Sequence, residues 1–117
     1  MTMQLGMVTI DCENPQQLAR FWTHALDVKV AGDYGDFLFL DAAAEGGVRL
    51  GFQRVPEPRQ GKNRVHVDFG TIDRPAEVRR LVRLGATELA QHSVPGLNWT
   101  VLADPGGNQF CVGSYDE

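Results

Sequence analysis

The stretch Val65-His66-Val67-Asp68-Phe69-Gly70 alternates apolar and polar residues. A period of two predicts a β-strand with Val65, Val67 and Phe69 on one face and His66, Asp68 and Gly70 on the other. Upstream, Pro56-Glu57-Pro58-Arg59-Gln60-Gly61-Lys62 is polar and rich in proline and glycine, the composition of a linker within one domain. Downstream, a helix is predicted to start near Asp73, with Pro75 in its first turn. Val78, Leu81 and Val82 form its apolar stripe, and Arg79, Arg80 and Arg83 read as a solvated face near the negative end of the helix dipole. Gly85 follows as the residue that ends the helix.

The same grammar occurs earlier in the chain. Asn14-Pro15-Gln16-Gln17 predicts a helix start, with Asn14 as N-cap, Pro15 at the first helical position and Gln17 completing a capping box. Leu18, Phe21, Trp22, Ala25 and Leu26 follow as a stripe at helical spacing. The remaining runs predict strands at Gln4–Cys12, Val28–Ala31, Asp36–Asp41, Val48–Val55, Arg64–Gly70, Glu88–His92, Asn98–Ala103 and Gln109–Gly113. Turn chemistry separates them, most densely at Asp104-Pro105-Gly106-Gly107-Asn108. The order is therefore βαβββ, linker, βαβββ. Met7-Val8-Thr9-Ile10 lies opposite His66-Val67-Asp68-Phe69, and Phe52-Gln53 is laid over Phe110-Cys111. Val8, Ile10 and Cys12 should face the first helix, and Met7, Thr9 and Asp11 the open side of the sheet. Arg49, Gly51, Gln53 and Val55 share one face of the fourth strand, and Gln109, Cys111 and Gly113 one face of the eighth. Sheets with helices on one side and a mixed polar surface on the other suggest a ligand cavity.

Composition narrows the classes. The 117 residues carry 43% hydrophobic and 22% charged side chains, as an ordinary globular domain does. The net charge of −4 argues against a nucleic-acid binder. No apolar run reaches the roughly 18 residues of a membrane span, and no membrane partner is expected. Met1-Thr2-Met3-Gln4-Leu5 lacks the basic and apolar regions of a secretory signal, so a cytoplasmic location is expected. Cys12 and Cys111 fall on opposite sheet faces and should not form a disulfide. The phosphate loop, dinucleotide fingerprint, zincin, serine-hydrolase and dithiol motifs are all absent from the sequence.

On these residues the chain resembles the vicinal oxygen chelate superfamily of glyoxalases, bleomycin-resistance proteins and extradiol dioxygenases. The carriers are the doubled βαβββ order, Asn14-Pro15 before the Phe21-Trp22 helix, Arg83-Leu84-Gly85-Ala86, and the Asp104–Asn108 turn before the last strand. Gly61-Lys62-Asn63-Arg64-Val65-His66-Val67-Asp68 looks like the small glyoxalase-like subgroup. The resemblance implies an α+β fold in which two tandem βαβββ modules form a curved mixed-sheet cup. It implies one glyoxalase-like domain over residues 1–117, with module one at about 4–55, the linker at 56–62 and module two at about 63–114. It also implies a homodimer. Metal enzymes of this kind draw four ligands from the first, fourth, fifth and eighth strands, which here are Met7, Gln53, His66 and Cys111. That set is degenerate: a thioether suits hard or borderline dications poorly, and no position supplies a carboxylate. No cofactor is favoured on this ground, with a divalent metal as the alternative.

The candidate ligand-binding residues are His66, Asp68, Asp11, Arg49, Gln53, Trp99 and Cys111. His66 is read as a ligand contact, with general acid–base catalysis as a further role and Asp68 as its neighbour on the same face. Cys111 reads first as a small apolar strand residue, since no motif activates its thiol. Asp11, Asp68 and Arg49 fit either recognition of a polar or cationic group or solvated strand ends. Phe37 and Phe39 are expected in the core, and Trp99 on a pocket wall. His24 and His92 read as surface residues. The expected function is small-molecule binding without the family's full metal site. The alternatives are a divalent-metal lyase, isomerase or dioxygenase, and a cofactor-free enzyme using His66.

Overall fold

The computed structural model describes residues 2–114, together with the backbone but not the side chain of Tyr115. Met1 of the N-terminal segment discussed above lies outside the described residues. The chain divides into two compact units, Met1–Arg59 and Gln60–Glu117. The first unit contains β1 (Met7–Cys12), α1 (Pro15–Leu26), β2 (Val30–Asp33), β3 (Phe37–Leu40) and β4 (Arg49–Arg54). The second contains β5 (Asp68–Gly70), α2 (Arg74–Leu84), β6 (Thr87–Val94), β7 (Leu97–Ala103) and β8 (Gln109–Tyr115). The fold is α+β, one βαβββ module per unit. The sheets run β1-β4-β3-β2 and β5-β8-β7-β6. In each, the first and last strands of the module pair in parallel and the remaining neighbours are antiparallel.

Local chemistry sets the helix ends. The Asn14 side chain accepts from the Gln17 backbone N–H at 3.1 Å, and Pro15 takes the first turn. The Asp73 side chain caps α2 in the same way, accepting from the Ala76 N–H at 3.1 Å. Gly85 ends α2 at φ +124°, a region that side-chain-bearing residues rarely adopt. Leu18, Phe21, Trp22 and Ala25 of α1 are buried with Leu38, Leu40, Leu50 and Phe52 of its sheet. Val78 and Leu81 of α2 are buried, as are Leu102, Phe110 and Val112 of the second sheet. Arg79 and Arg83 are exposed, and Arg80 pairs with Glu77 one turn away.

Several expectations need correction. Val82 is 43% exposed, so the stripe of α2 is narrower than its spacing implied. Phe37 and Phe39 are not in the core. Leu38 and Leu40 are, at 2% and 0% exposure. In Phe37-Leu38-Phe39-Leu40 every residue is apolar, so alternation alone offers no polar side to break the tie. β1 starts at Met7 rather than Gln4, and β6 extends over Thr87–Val94.

The predicted fifth strand is shortened to Asp68–Gly70. The reason is Asn63. Its Oδ1 accepts from the Gln109 N–H at 2.8 Å, and its Nδ2 donates to the Gln109 carbonyl at 3.0 Å. A side-chain amide thus takes the partners that a longer β5 would have used at this end of β8. The ladder resumes where the Cys111 N–H donates to the Val67 carbonyl.

The expected overlay of the two modules also slips. Thr9 pairs with Gly51, and Asp68 pairs with Cys111. With Met7–Ile10 laid on His66–Phe69, the counterpart of Cys111 is therefore Gly51, not Gln53. The β-bulges agree: both interrupt the second strand of their module, opposite Leu40 and Leu102. Counting inward places Leu38 with Thr100 and Phe52 with Val112. A two-residue slip preserves every inward and outward position, so the sequence pattern cannot detect it.

Candidate functional site

The site lies on the side of the second sheet that carries His66, Asp68 and Cys111. Asp68 sits at the start of β5, and its pairing with Cys111 on β8 places the two side by side. His66 lies two residues before Asp68, and its Nε2 is 3.4 Å from Asp68 Oδ1. Both side chains are largely exposed, whereas Cys111 is only 7% exposed. Burial pushes the Cys111 thiol up from its ordinary ionisation range. The negative charge of Asp68 and a hydrogen bond to it act in the same direction, and Lys62 acts weakly against them. Cys111 is therefore a protonated thiol near neutral pH, which does not suit an activated nucleophile. Among the described residues neither cysteine is in a disulfide, and Cys12 donates to the Gln53 carbonyl at 3.6 Å.

These three residues form the polar end of a cavity of about 580 Å³, which Trp99, Leu97, Phe69 and the glycines 70 and 113 complete. Trp99 pairs with Gly113 across β7 and β8, so its indole stands beside a position without a side chain. On its other neighbour strand, His92 pairs with Trp99 and stacks on it, with centroids 5.3 Å apart and planes at 28°. His92 is exposed, as expected of a surface residue, and its ring stacks on a residue of the cavity wall. Sequence reasoning found His66, Asp68, Trp99 and Cys111. It missed Leu97 and Phe69 as wall residues, while alternation had already put glycines 70 and 113 on the correct face. The Asp104 turn joins β7 to β8. The buried Asp104 carboxylate accepts from the backbone N–H groups of Gly106 and Asn108, each at 2.9 Å, and from the Asn108 side chain.

Asp11, Arg49, Gln53 and Met7 belong to the first unit and occupy the corresponding side of its sheet. Arg49 lies 5.5 Å from the centroid of Phe39 in a cation–π contact. Gln53 turns its amide toward the Asp36 and Arg54 carbonyls, at 3.4 Å each. Asp11 is exposed opposite Gln53. The space beside the Gly51 backbone is filled. A Cβ there would lie 2.8 Å from Met7 Sδ and 3.2 Å from both Phe37 and Thr9.

Residues 7–113 match the family described as the glyoxalase-like domain. The chain belongs to that family. This glyoxalase-like domain is also similar in fold to solved structures at low identity. One is a glyoxalase/bleomycin resistance protein/dioxygenase family enzyme from Burkholderia phytofirmans PsJN, with TM-score 0.82, 18% identity, and coverage of 97% of this chain and 100% of that one. A glyoxalase-related enzyme from Fulvimarina pelagi gives TM-score 0.76, 15% identity, and coverage of 97% and 88%. A glyoxalase/bleomycin resistance protein/dioxygenase from Nocardioides gives 0.73, 14%, and coverage of 100% and 86%. No curated protein matches the chain significantly.

The four-strand metal set implied for such a domain does not fit these residues. In the first unit Met7 pairs with Arg49, four residues before Gln53 on β4. At strand spacing that is about 13 Å, too far for both to reach one ion. Met7 is, moreover, folded over Gly51. The register-matched counterpart of Cys111 is that glycine, which offers no donor at all.

Proposed function

We propose that this glyoxalase-like domain binds a small, flat organic molecule in the cavity of its second unit. The observation that carries the reading is the cavity itself: about 580 Å³, walled by Trp99 and ending at His66, Asp68 and Cys111. That volume falls within the range of small-molecule sites, which join an apolar lining to a few convergent polar groups. Trp99 supplies a stacking face, and bracing by His92 limits the rotamer freedom lost when a ligand docks. Asp68 gives the polar end a carboxylate, which favours a cationic or hydrogen-bond-donating group on the ligand. In this reading His66, whose Nε2 is 3.4 Å from Asp68 Oδ1, contacts the ligand beside it. The family's four-donor metal set plays no part in this reading. A homodimer in the cytoplasm completes the proposal by kinship.

Native mass spectrometry against a panel of metabolites and antibiotics tests the proposal. The expected result is a saturable adduct of one molecule per chain, lost in Trp99→Ala and weakened in Asp68→Asn. An adduct that survives Trp99→Ala unchanged would contradict it. The same spectra report the number of chains per particle.

A second reading, a metal-dependent lyase, isomerase or dioxygenase, rests on one observation: three potential metal donors meet at the end of the cavity. Turnover of a substrate only in metal-loaded protein would favour that reading over simple binding.

A further inference from the structure

His92 and Trp99 form a cross-strand pair whose rings stack with centroids 5.3 Å apart and planes at 28°. The indole has a second neighbour, Gly113 on β8, and the cavity lies over that side. Trp99 thus stands between a histidine ring and the place where a flat ligand would lie. We infer that His92 selects ligand charge according to pH. Its protonated ring, stacked on the outer face of Trp99, weakens binding of cations in the cavity and leaves uncharged ligands of the same shape unaffected. This regulation presupposes the small-molecule cavity proposed above.

The surroundings leave His92 as the group that brings charge to this wall. Imidazole is the side chain that changes charge between about pH 5 and 8. From Ala90 to Val94 the register with β7 is unbroken, so Ala90, His92 and Val94 share the cavity side of β6. Leu97, Trp99 and Val101 share it on β7, again without a charge. The carboxylate of β6, Glu88, lies on the other side. It pairs with buried Leu102 and accepts from Gln91, which pairs with buried Thr100. α2 packs on that side too, since its Arg74 donates to Thr100 Oγ1 at 2.7 Å. His66, Asp68 and Cys111 lie across β8 and β5, toward the opposite edge of the sheet, with Lys62 close enough to act on Cys111. A stacked imidazolium engages the π density of the indole. A cation stacked on the other face would find that density drawn away and would feel a like charge about 10 Å distant. Near a protein surface, repulsion at about 10 Å changes affinity by about twofold to fifteenfold.

The probes are N-methylquinolinium, a permanent flat cation, and methylnaphthalene, its uncharged counterpart in shape. Each is titrated into His66→Gln protein at about pH 8 and about pH 5.5, either side of the imidazole range. His66→Gln removes the other imidazole at the cavity, whose charge beside Asp68 would add its own response. Low salt, about 10 mM, keeps screening weak. Affinity for the cation should fall by about threefold or more at the lower pH, while affinity for methylnaphthalene stays within about 1.5-fold. Adding His92→Phe keeps a stacked ring that takes up no proton, and should abolish the difference between the two pH values. A second readout needs no ligand. In Trp22→Phe protein, Trp99 emission should fall toward the lower pH, because an imidazolium in contact with indole quenches it, and should stay constant once His92→Phe is added. A pH effect on the cation that survives His92→Phe, an equal effect on both probes, or Trp99 emission that ignores pH overturns the regulation and leaves the cavity standing. If neither probe binds at either pH, the regulation falls. The cavity falls with it only if the metabolite panel also yields no Trp99-dependent adduct.

Discussion

The two sheets place the same positions at the same levels and use them differently. In the first unit Met7, Thr9, Gly51 and Phe37 stand where the second has His66, Asp68, Cys111 and Trp99. Around Gly51, Met7, Thr9 and Phe37 occupy the space a Cβ would need. Around Cys111 the matching side chains are polar or set back beside glycine, and a cavity remains. One duplicated scaffold thus fills the space beside Gly51 in one copy and leaves an accessible polar pocket beside Cys111 in the other. The difference lies in the side chains rather than in the strand order.

The largest effects should come from the cores beneath these surfaces. Phe52 and Val112 stand at the same level and are almost fully buried. Phe52→Ala should cost about 3–5 kcal/mol, and Val112→Ala about half as much, because fewer carbons leave the interior. Chemical denaturation of both variants checks the equivalence, and a Val112→Ala loss as large as that of Phe52→Ala would break it.

Glycine substitutions probe the contrast itself. Gly51→Ala should cost about 1–3 kcal/mol, since Met7, Phe37 and Thr9 must all give way. Gly113→Ala meets nothing closer than 3.6 Å, so its cost should stay within about 0.5 kcal/mol. Its methyl group would narrow the cavity, so it should weaken any adduct found by mass spectrometry while thermal melting barely changes.

A smaller effect comes from Cys111. Its thiol is held up by burial first and by Asp68 second. A group whose folded pKa lies above its unfolded value stabilises fully below the unfolded value, and that stability is lost as pH rises through the folded one. Alkaline titration should therefore destabilise the wild type, and Cys111→Ser should remove that part of the loss. Asp68→Asn should lower the thiol pKa and speed alkylation of Cys111 near pH 8. Alkylation at an unchanged rate would contradict the coupling. His92→Ala should cost about 0.5–1.5 kcal/mol from the lost stack, seen as broader or shifted Trp99 emission.

Much of this was legible in the chain. Asn14-Pro15 and the Leu18–Ala25 spacing predict α1, and Gly85 predicts the end of α2, because capping and helical periodicity are local. Alternation assigned His66 and Asp68 to one face and Cys12 to the other. Two kinds of information were not legible. Register between strands 40 residues apart depends on pairing, and a shift of two residues leaves the pattern of Phe52-Gln53 and Phe110-Cys111 intact. Substitution of a strand by the Asn63 amide is likewise a tertiary event that no local rule announces. The convergence of Cys111 on His66 and Asp68 needed that pairing.

The most direct test of an accessible cavity in the second unit uses the two tryptophans, one in each unit. Trp22 is buried in the first unit, and Trp99 lines the cavity of the second. Trp22→Phe leaves only Trp99 to emit, and Trp99→Phe only Trp22. When a molecule found by the mass-spectrometric panel is titrated in, the account predicts a saturable change in emission for Trp22→Phe and none for Trp99→Phe. A saturable response from Trp22 alone, with Trp99 silent, would contradict it.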